Sequence, residues 1–202
     1  MTTTTPTTTI EDLVRKNRSC RRFYENQAVD EDTLKQLVNL GRLSASAANR
    51  QPLKYLLSWE KKKNQVIFPC LAWAAYLTDW KGPKAGERPA AYIIITGDTT
   101  ITDNFWCDHG IAAQSILLGA REMGLAGCMI GAFNEKKLRA GLAIPDHLAL
   151  LLVIALGRPK EQVVIEEVGP DNDIRYWRDK SRIHHVPKRK LEDIIVPIVK
   201  TR

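Results

Sequence analysis

Five consecutive residues carry the densest chemistry in this chain: Arg18-Ser19-Cys20-Arg21-Arg22. A guanidinium offers a planar fork of donors that matches a phosphate bidentately, and a serine hydroxyl adds a compact donor beside it. In an extended chain Arg18 and Cys20 face one way and Ser19 and Arg21 the other. A bend is therefore needed to bring Arg18, Ser19 and Arg21 onto one anion. A solvated basic turn is the competing reading, and the stretch by itself leaves both open. A second stretch, Ser44-Ala45-Ser46-Ala47-Ala48-Asn49-Arg50-Gln51-Pro52, is small and polar and lacks side chains that fill a core. It is either a plain loop or a place where backbone lies against a ligand while Asn49 and Gln51 present amides to a heterocycle. A third, Gly124 to Phe133, is apolar with Gly127 and Gly131 bracketing its centre. Backbone there can approach a flat ligand closely; a short bulged strand is the alternative, and the stretch is neither a G-x-G-x-x-G nor a Walker loop.

Metal chemistry is not expected. Cys107-Asp108-His109 sits in a helical pattern, where adjacent side chains diverge by about 100° and cannot converge on one ion. His184-His185 reads as a solvated loop pair. Val186-Pro187-Lys188-Arg189-Lys190 forms a second basic cluster near the end of the chain.

The elements that must position these groups follow from pattern. Thr9 with Asp12 caps a short helix running to about Lys16, and Asp30 caps a second, with Leu34, Leu37, Val38 and Gly41 at helical spacing to about Leu43. Leu53–Trp59 reads as a strand, Lys61-Lys62-Lys63 as a solvated turn, and Val66–Leu77 as helical after Pro69. Trp80–Glu87, with Gly82-Pro83 and Gly86, is a loop and a candidate mobile pocket wall. Tyr92-Ile93-Ile94-Ile95 marks a buried strand, Asn104–Met123 the longest helix, Asn134 the cap of a helix to Leu142, and Leu148–Leu156 another buried strand. The last forty residues are polar and irregular until Ile194–Val199, an apolar end with no local partner, which suits an edge strand added to another chain's sheet.

The 202 residues, 44% of them hydrophobic and 26% charged, suffice for one large domain. The expected division is a disordered Thr-rich tail over residues 1–9 and a single domain over 10–202. The tail has neither the charge nor the apolar stretch of a signal peptide. No apolar run approaches the ~20 residues of a membrane helix. Four cysteines without a C-x-x-C pair read as reduced thiols in a cytoplasmic protein. The net charge of +7 suits an anionic ligand, but cations alternate with Asp and Glu and the aromatics fall in apolar segments, which argues against nucleic acid.

Arg18-Ser19-Cys20-Arg21-Arg22-Phe23, then Ser46-Ala47-Ala48-Asn49-Arg50-Gln51-Pro52, then Gly124–Gly131 occur in an order that resembles the nitroreductase family of FMN-dependent oxidoreductases. The resemblance spans about residues 10–200. It implies an α+β fold, a three-layer α/β/α arrangement with a central mixed, mainly antiparallel sheet. It also implies a homodimer that exchanges C-terminal strands and holds FMN at the interface. It assigns Arg18, Ser19 and Arg21 to the FMN phosphate and ribityl chain. Ser46, Ala47, Asn49 and Gln51 fall to a loop reaching FMN from the partner chain, Met129, Ile130 and Gly131 to backbone against the flavin, and Lys188 and Arg189 to a late pair of cations closing on the phosphate. Arg22 is left to a structural or solvent-facing role. Leu53 stands where the family often has an aromatic and Ala45 where it often has Pro, differences that bear on pocket shape.

The implied activity is ping-pong oxidation of NAD(P)H, with hydride passing through flavin N5 to a nitroaromatic, quinone or related small acceptor. No catalytic side chain is expected, because the flavin carries the chemistry. The alternative is a flavin-binding or redox-sensing protein of the same fold without turnover.

Overall fold

The computed structural model describes residues 8–198. Residues 1–7 of the tail expected over 1–9, and the end of the expected terminal strand at Val199, lie outside them. Helix α1 (Ile10–Lys16) opens with Thr9 accepting from the Asp12 amide while Asp12 caps back, the reciprocal pair its sequence implied. Helix α2 (Glu31–Leu43) follows with Asp30 as its cap. Strand β1 (Leu53–Ser58) leads into α3 (Lys61–Ile67), β2 (Ala91–Asp98) into α4 (Asp108–Glu122), and β3 (Ala126–Ile130) into α5 (Glu135–Leu142). Strand β4 (Leu148–Gly157) completes a four-stranded sheet of order β1-β2-β4-β3.

Every pairing in that sheet is antiparallel, so the central sheet described here is not mixed. Its middle strands are buried on both faces. Ile93 and Ile95 of β2 and Ile154 and Leu156 of β4 pack with Leu34 and Leu37 of α2 and with Ala113, Ile116, Leu117 and Ala120 of α4. Tyr92 and Ile94, with Val153 and Ala155, face Ile67 of α3 and Leu138 of α5. Alternation along one strand thus feeds two cores, which gives the expected three layers and makes both strands read as unbroken apolar runs.

The sequence expectation fails in three further places. Lys61–Lys63 are solvent-exposed as expected but form the first turn of helix α3 instead of a loop turn; lysine is a good helix former with its stem along the surface. Beyond a 3₁₀ turn at Phe68–Cys70, residues 71–77 are not helical. Aromatic contacts hold them instead: Trp73 lies 5.9 Å from Phe68 and 6.5 Å from Trp80 between ring centres.

The third failure is the chain end. The last forty residues build a second sheet, β5 (Val163–Glu167), β7 (His184–Lys188) and β6 (Trp177–Arg178), with β5 and β7 parallel. Leu191–Ile194 form the short helix α6, and residues 195–198 pair with no strand of their own chain, with Val196 and Ile198 almost wholly exposed, so the expected pairing with another chain is not tested by the single chain. No helix among the described residues is long and apolar enough to cross a membrane.

Candidate functional site

The Arg-Ser-Cys-Arg-Arg segment runs beside the outer edge of β3, where the Cys20 amide donates to the Gly127 carbonyl at 2.9 Å. This contact divides the three arginines. Arg22 turns into the protein and grips Glu87 with two 2.9 Å hydrogen bonds, both side chains buried, and Lys160 joins at 3.3 Å. The structural role expected of Arg22 is therefore a buried ion pair. Its hydrogen bonds, with those of Lys160, hold the Glu87 carboxyl down at about 2.

Arg21 is equally buried but takes no carboxylate. Its main-chain amide donates to Glu161 Oε2 at 2.8 Å, and Glu161 Oε1 accepts from Arg178 at 2.5 Å. The Arg21 guanidinium instead meets the Ser19 carbonyl at 3.4 Å, His184 Nε2 at 3.2 Å and the face of Tyr176 at 4.9 Å. It lines a cavity of about 210 Å³ with residues 72–75 on one wall and Cys128–Ala132 on the other. Met129, Ile130 and Gly131 therefore line the same cavity as Arg21. Trp73 in the opposite wall has a buried indole Nε1 without a partner, and a side chain added at Gly131 would meet nothing within 4 Å.

Arg18 goes elsewhere. Its Nη2 donates to the Val14 carbonyl at the end of α1 (3.0 Å), and its buried Nε lacks a partner. It lines a cavity of about 380 Å³ with Arg15, Lys16, Arg121 and Glu161. Ser19 is exposed and lines neither cavity. One chain thus does not gather Arg18 and Arg21 into a single lining.

The Ser46–Gln51 loop is held by Asp108 in the first turn of α4. Ser46 Oγ donates to Asp108 Oδ2 at 2.6 Å, the Ala47 amide to Oδ1 at 2.9 Å, and the Gln51 amide to Ser46 Oγ at 2.9 Å. Asp108 is thus a loop anchor. Ala48, Asn49 and Gln51 all adopt positive φ near 50°, a conformation that costs a non-glycine residue stability and concentrates at functional sites. Asn49 and Gln51 stay exposed, and the loop borders a cavity of about 130 Å³ between α2, β1 and α4, away from Arg21. Lys188 and Arg189, at the end of β7, are exposed and line none of these three cavities.

Sequence reasoning missed the wall at 72–75, the Asp108 anchor and the partners of Arg21. It also misplaced the histidine pair: His184 and His185 lie in β7, with His184 buried against Arg21 and His185 stacked on Trp177 at 4.0 Å between rings. Their partner strand β5 is about twenty residues away and parallel, which local pattern does not reveal. The Trp80–Glu87 loop sends Ala85 and Gly86 to a different, larger cavity on the α3 side.

The nitroreductase family profile matches residues 14–158, and the chain belongs to this family. A provisionally named NADH dehydrogenase/NAD(P)H nitroreductase of Archaeoglobus fulgidus is 25% identical over 158 residues, 74% of this chain and 85% of that protein. Among solved structures, an FMN-dependent nitroreductase of Clostridium difficile R20291 superposes with a TM-score of 0.59 at 22% identity, covering 74% of this chain and 87% of that one. A provisionally named nitroreductase in complex with FMN from Desulfovibrio desulfuricans gives 0.62 at 23%, covering 77% and 88%. These likenesses establish the nitroreductase-like fold.

Proposed function

We propose that this protein is an FMN-dependent oxidoreductase that uses NAD(P)H to reduce a nitroaromatic, quinone or related small acceptor. The observation that carries the reading is a buried, unneutralised Arg21 facing the open backbone of Met129–Gly131 inside the family-matched segment. A lone cation, a strip of approachable backbone and an unpartnered indole N–H suit an anionic, planar, hydrogen-bonding ligand such as FMN. The names of the relatives point the same way, one to NAD(P)H and two to FMN.

Bound FMN would supply the redox chemistry, taking hydride from NAD(P)H at N5 and passing it to the acceptor in ping-pong fashion. The protein's own residues bind and orient. Arg21 and the Met129–Gly131 backbone line one cavity and would hold the flavin ring there, which moves Arg21 from the phosphate end to the ring, and Trp73 would shield one side from water. The cavity of about 210 Å³ falls below the ~300 Å³ at which ligand pockets usually begin, so one chain does not enclose the cofactor. A second copy completes it in this reading, contributing Ser46, Ala47, Asn49 and Gln51 from the strained loop, while Arg18, Ser19, Lys188 and Arg189 close on the phosphate. The apolar end from Ile194 onward joins the partner's sheet. Its natural seat is the free edge of β1, since the Cys20 segment already covers β3.

Purified protein incubated with FMN and desalted should remain yellow, sediment as a dimer, and oxidise NADH or NADPH when a quinone or nitroaromatic is present. A colourless preparation that takes up no FMN would falsify the reading. An FMN-bound protein that neither oxidises NAD(P)H nor reduces an acceptor would place it instead with flavin-binding sensors.

A further inference from the structure

Arg21 owes its unspent charge to the second sheet. Tyr176, just before β6, lies under the guanidinium at 4.9 Å, and its ring centre is 5.2 Å from that of His184 on β7. A guanidinium can only donate, so Arg21 Nη1 donates to His184 Nε2, and the imidazole must be the neutral tautomer with its proton on Nδ1. A second proton would have to sit on Nε2, against the Arg21 cation, and Nδ1 is buried without a partner, so no neighbouring group stabilises the doubly protonated ring. Burial, then the facing cations Arg21 and Arg178, then His185, push the His184 pKa down to about 4, which keeps the ring neutral at any pH near 7. Glu161 is committed to the Arg21 main chain and to Arg178. Both Tyr176 and His184 lie beyond residue 158, outside the segment that the family profile matches.

We propose that His184 is a positioning residue that fixes Arg21 toward the cavity at Cys128–Ala132 as a neutral hydrogen-bond acceptor, so that the undiminished cationic charge sets the reduction potential of the bound flavin. This rests on the FMN reading above. A carboxylate holding Arg21 equally well would cancel the charge that a flavin ring meets when it gains electrons. An imidazole with its lone pair on Nε2 holds the same geometry and cancels none of it.

The test compares wild type, His184→Gln, His184→Glu and His184→Leu, each checked for folding by circular dichroism. Flavin midpoint potential is read by spectroelectrochemical titration and FMN affinity by fluorescence quenching. Gln retains an acceptor without charge and should keep the potential of the wild type. Glu should lower the potential, weakening binding of reduced relative to oxidised flavin by about tenfold or more. Leu, which removes the acceptor, should lose FMN affinity that Gln retains. Histidine ring ¹⁵N shifts of the FMN-free protein should show His184 neutral and protonated on Nδ1. A folded, FMN-loaded His184→Glu protein with wild-type potential overturns the proposal while leaving the FMN reading intact. So does a proton on Nε2. If His184→Glu does not fold, equal FMN affinities for Leu and Gln overturn it. Wild-type protein that binds no FMN overturns the FMN reading itself, and this inference with it.

Discussion

Two adjacent arginines in one basic run have opposite fates, and the difference is one carboxylate. Arg22 is matched by Glu87 and its charge is consumed; Arg21 is matched by an imidazole and a phenol ring, and its charge is available. Removing half of a buried pair leaves the other half unpaired, so Glu87→Gln should cost about 3–5 kcal/mol in denaturant unfolding. Its pH dependence has a definite sign. The folded-state value of about 2 lies below the ordinary 4.5, so the pair stabilises fully above pH 4.5 and the gain fades as pH falls through about 2. The gap between wild type and Glu87→Gln should accordingly be constant from pH 6 to 8 and narrow below pH 4.5; a gap that widens on acidification would refute the assignment. Arg21→Ala should strip FMN from the purified protein, while Arg22→Lys should lower stability more than occupancy. The sequence exposed the basic run but not this partition, because Glu87, Glu161 and His184 lie 65, 140 and 163 residues away from their partners.

Among the elements, β3 bears most directly on the site, since its residues 128–130 line the cavity while Gly127 accepts the Cys20 amide. Gly127 is the tight point. A Cβ there would sit 2.5 Å from Leu117 Cδ2 and 2.7 Å from the Ala155 carbonyl oxygen, and backbone cannot step aside as a side chain can. Gly127→Ala should therefore destabilise by about 1–3 kcal/mol and, by shifting β3 against residue 20, weaken FMN binding as well. Asn134→Ala, which removes the hydrogen bond to the Lys137 amide at the start of α5, should cost about 1 kcal/mol and leave FMN affinity unchanged. Elements of this kind were legible in the sequence: the caps Thr9, Asp30 and Asn134 stand where their residue types place them, and the doubly buried β2 and β4 show as continuous apolar runs. Those that were not legible are held by distant partners. Residues 71–77 look helical by apolarity but are tied to Trp80 and to Tyr176, and β7 takes its register from β5.

At the scale of the whole molecule, the family-matched segment ends at residue 158, yet the lining of Arg21 is finished by residues that follow it. The apolar end beyond Ile194 is open in the single chain: Ile195, Val196 and Ile198 are 62%, 84% and 98% exposed, and it is the run that the proposed second copy would cover. If the proposed dimer forms through this end, deleting residues 191–202 should convert it to monomer in sedimentation and reduce FMN occupancy, while the thermal transition of the isolated fold persists; a truncated protein that remains dimeric would exclude strand exchange through this end. The contacts around Arg21 also impose an order on folding. The arginine emerges from the ribosome early, but Glu161 and His184 follow 140 and 163 residues later. At about 5–20 residues per second, the nascent chain carries an unanchored guanidinium for roughly ten seconds or more. Closure of so long a loop is paid for only when the second sheet docks. The lining of Arg21 therefore matures only once the chain through His184 has been made, and FMN should not bind before that point.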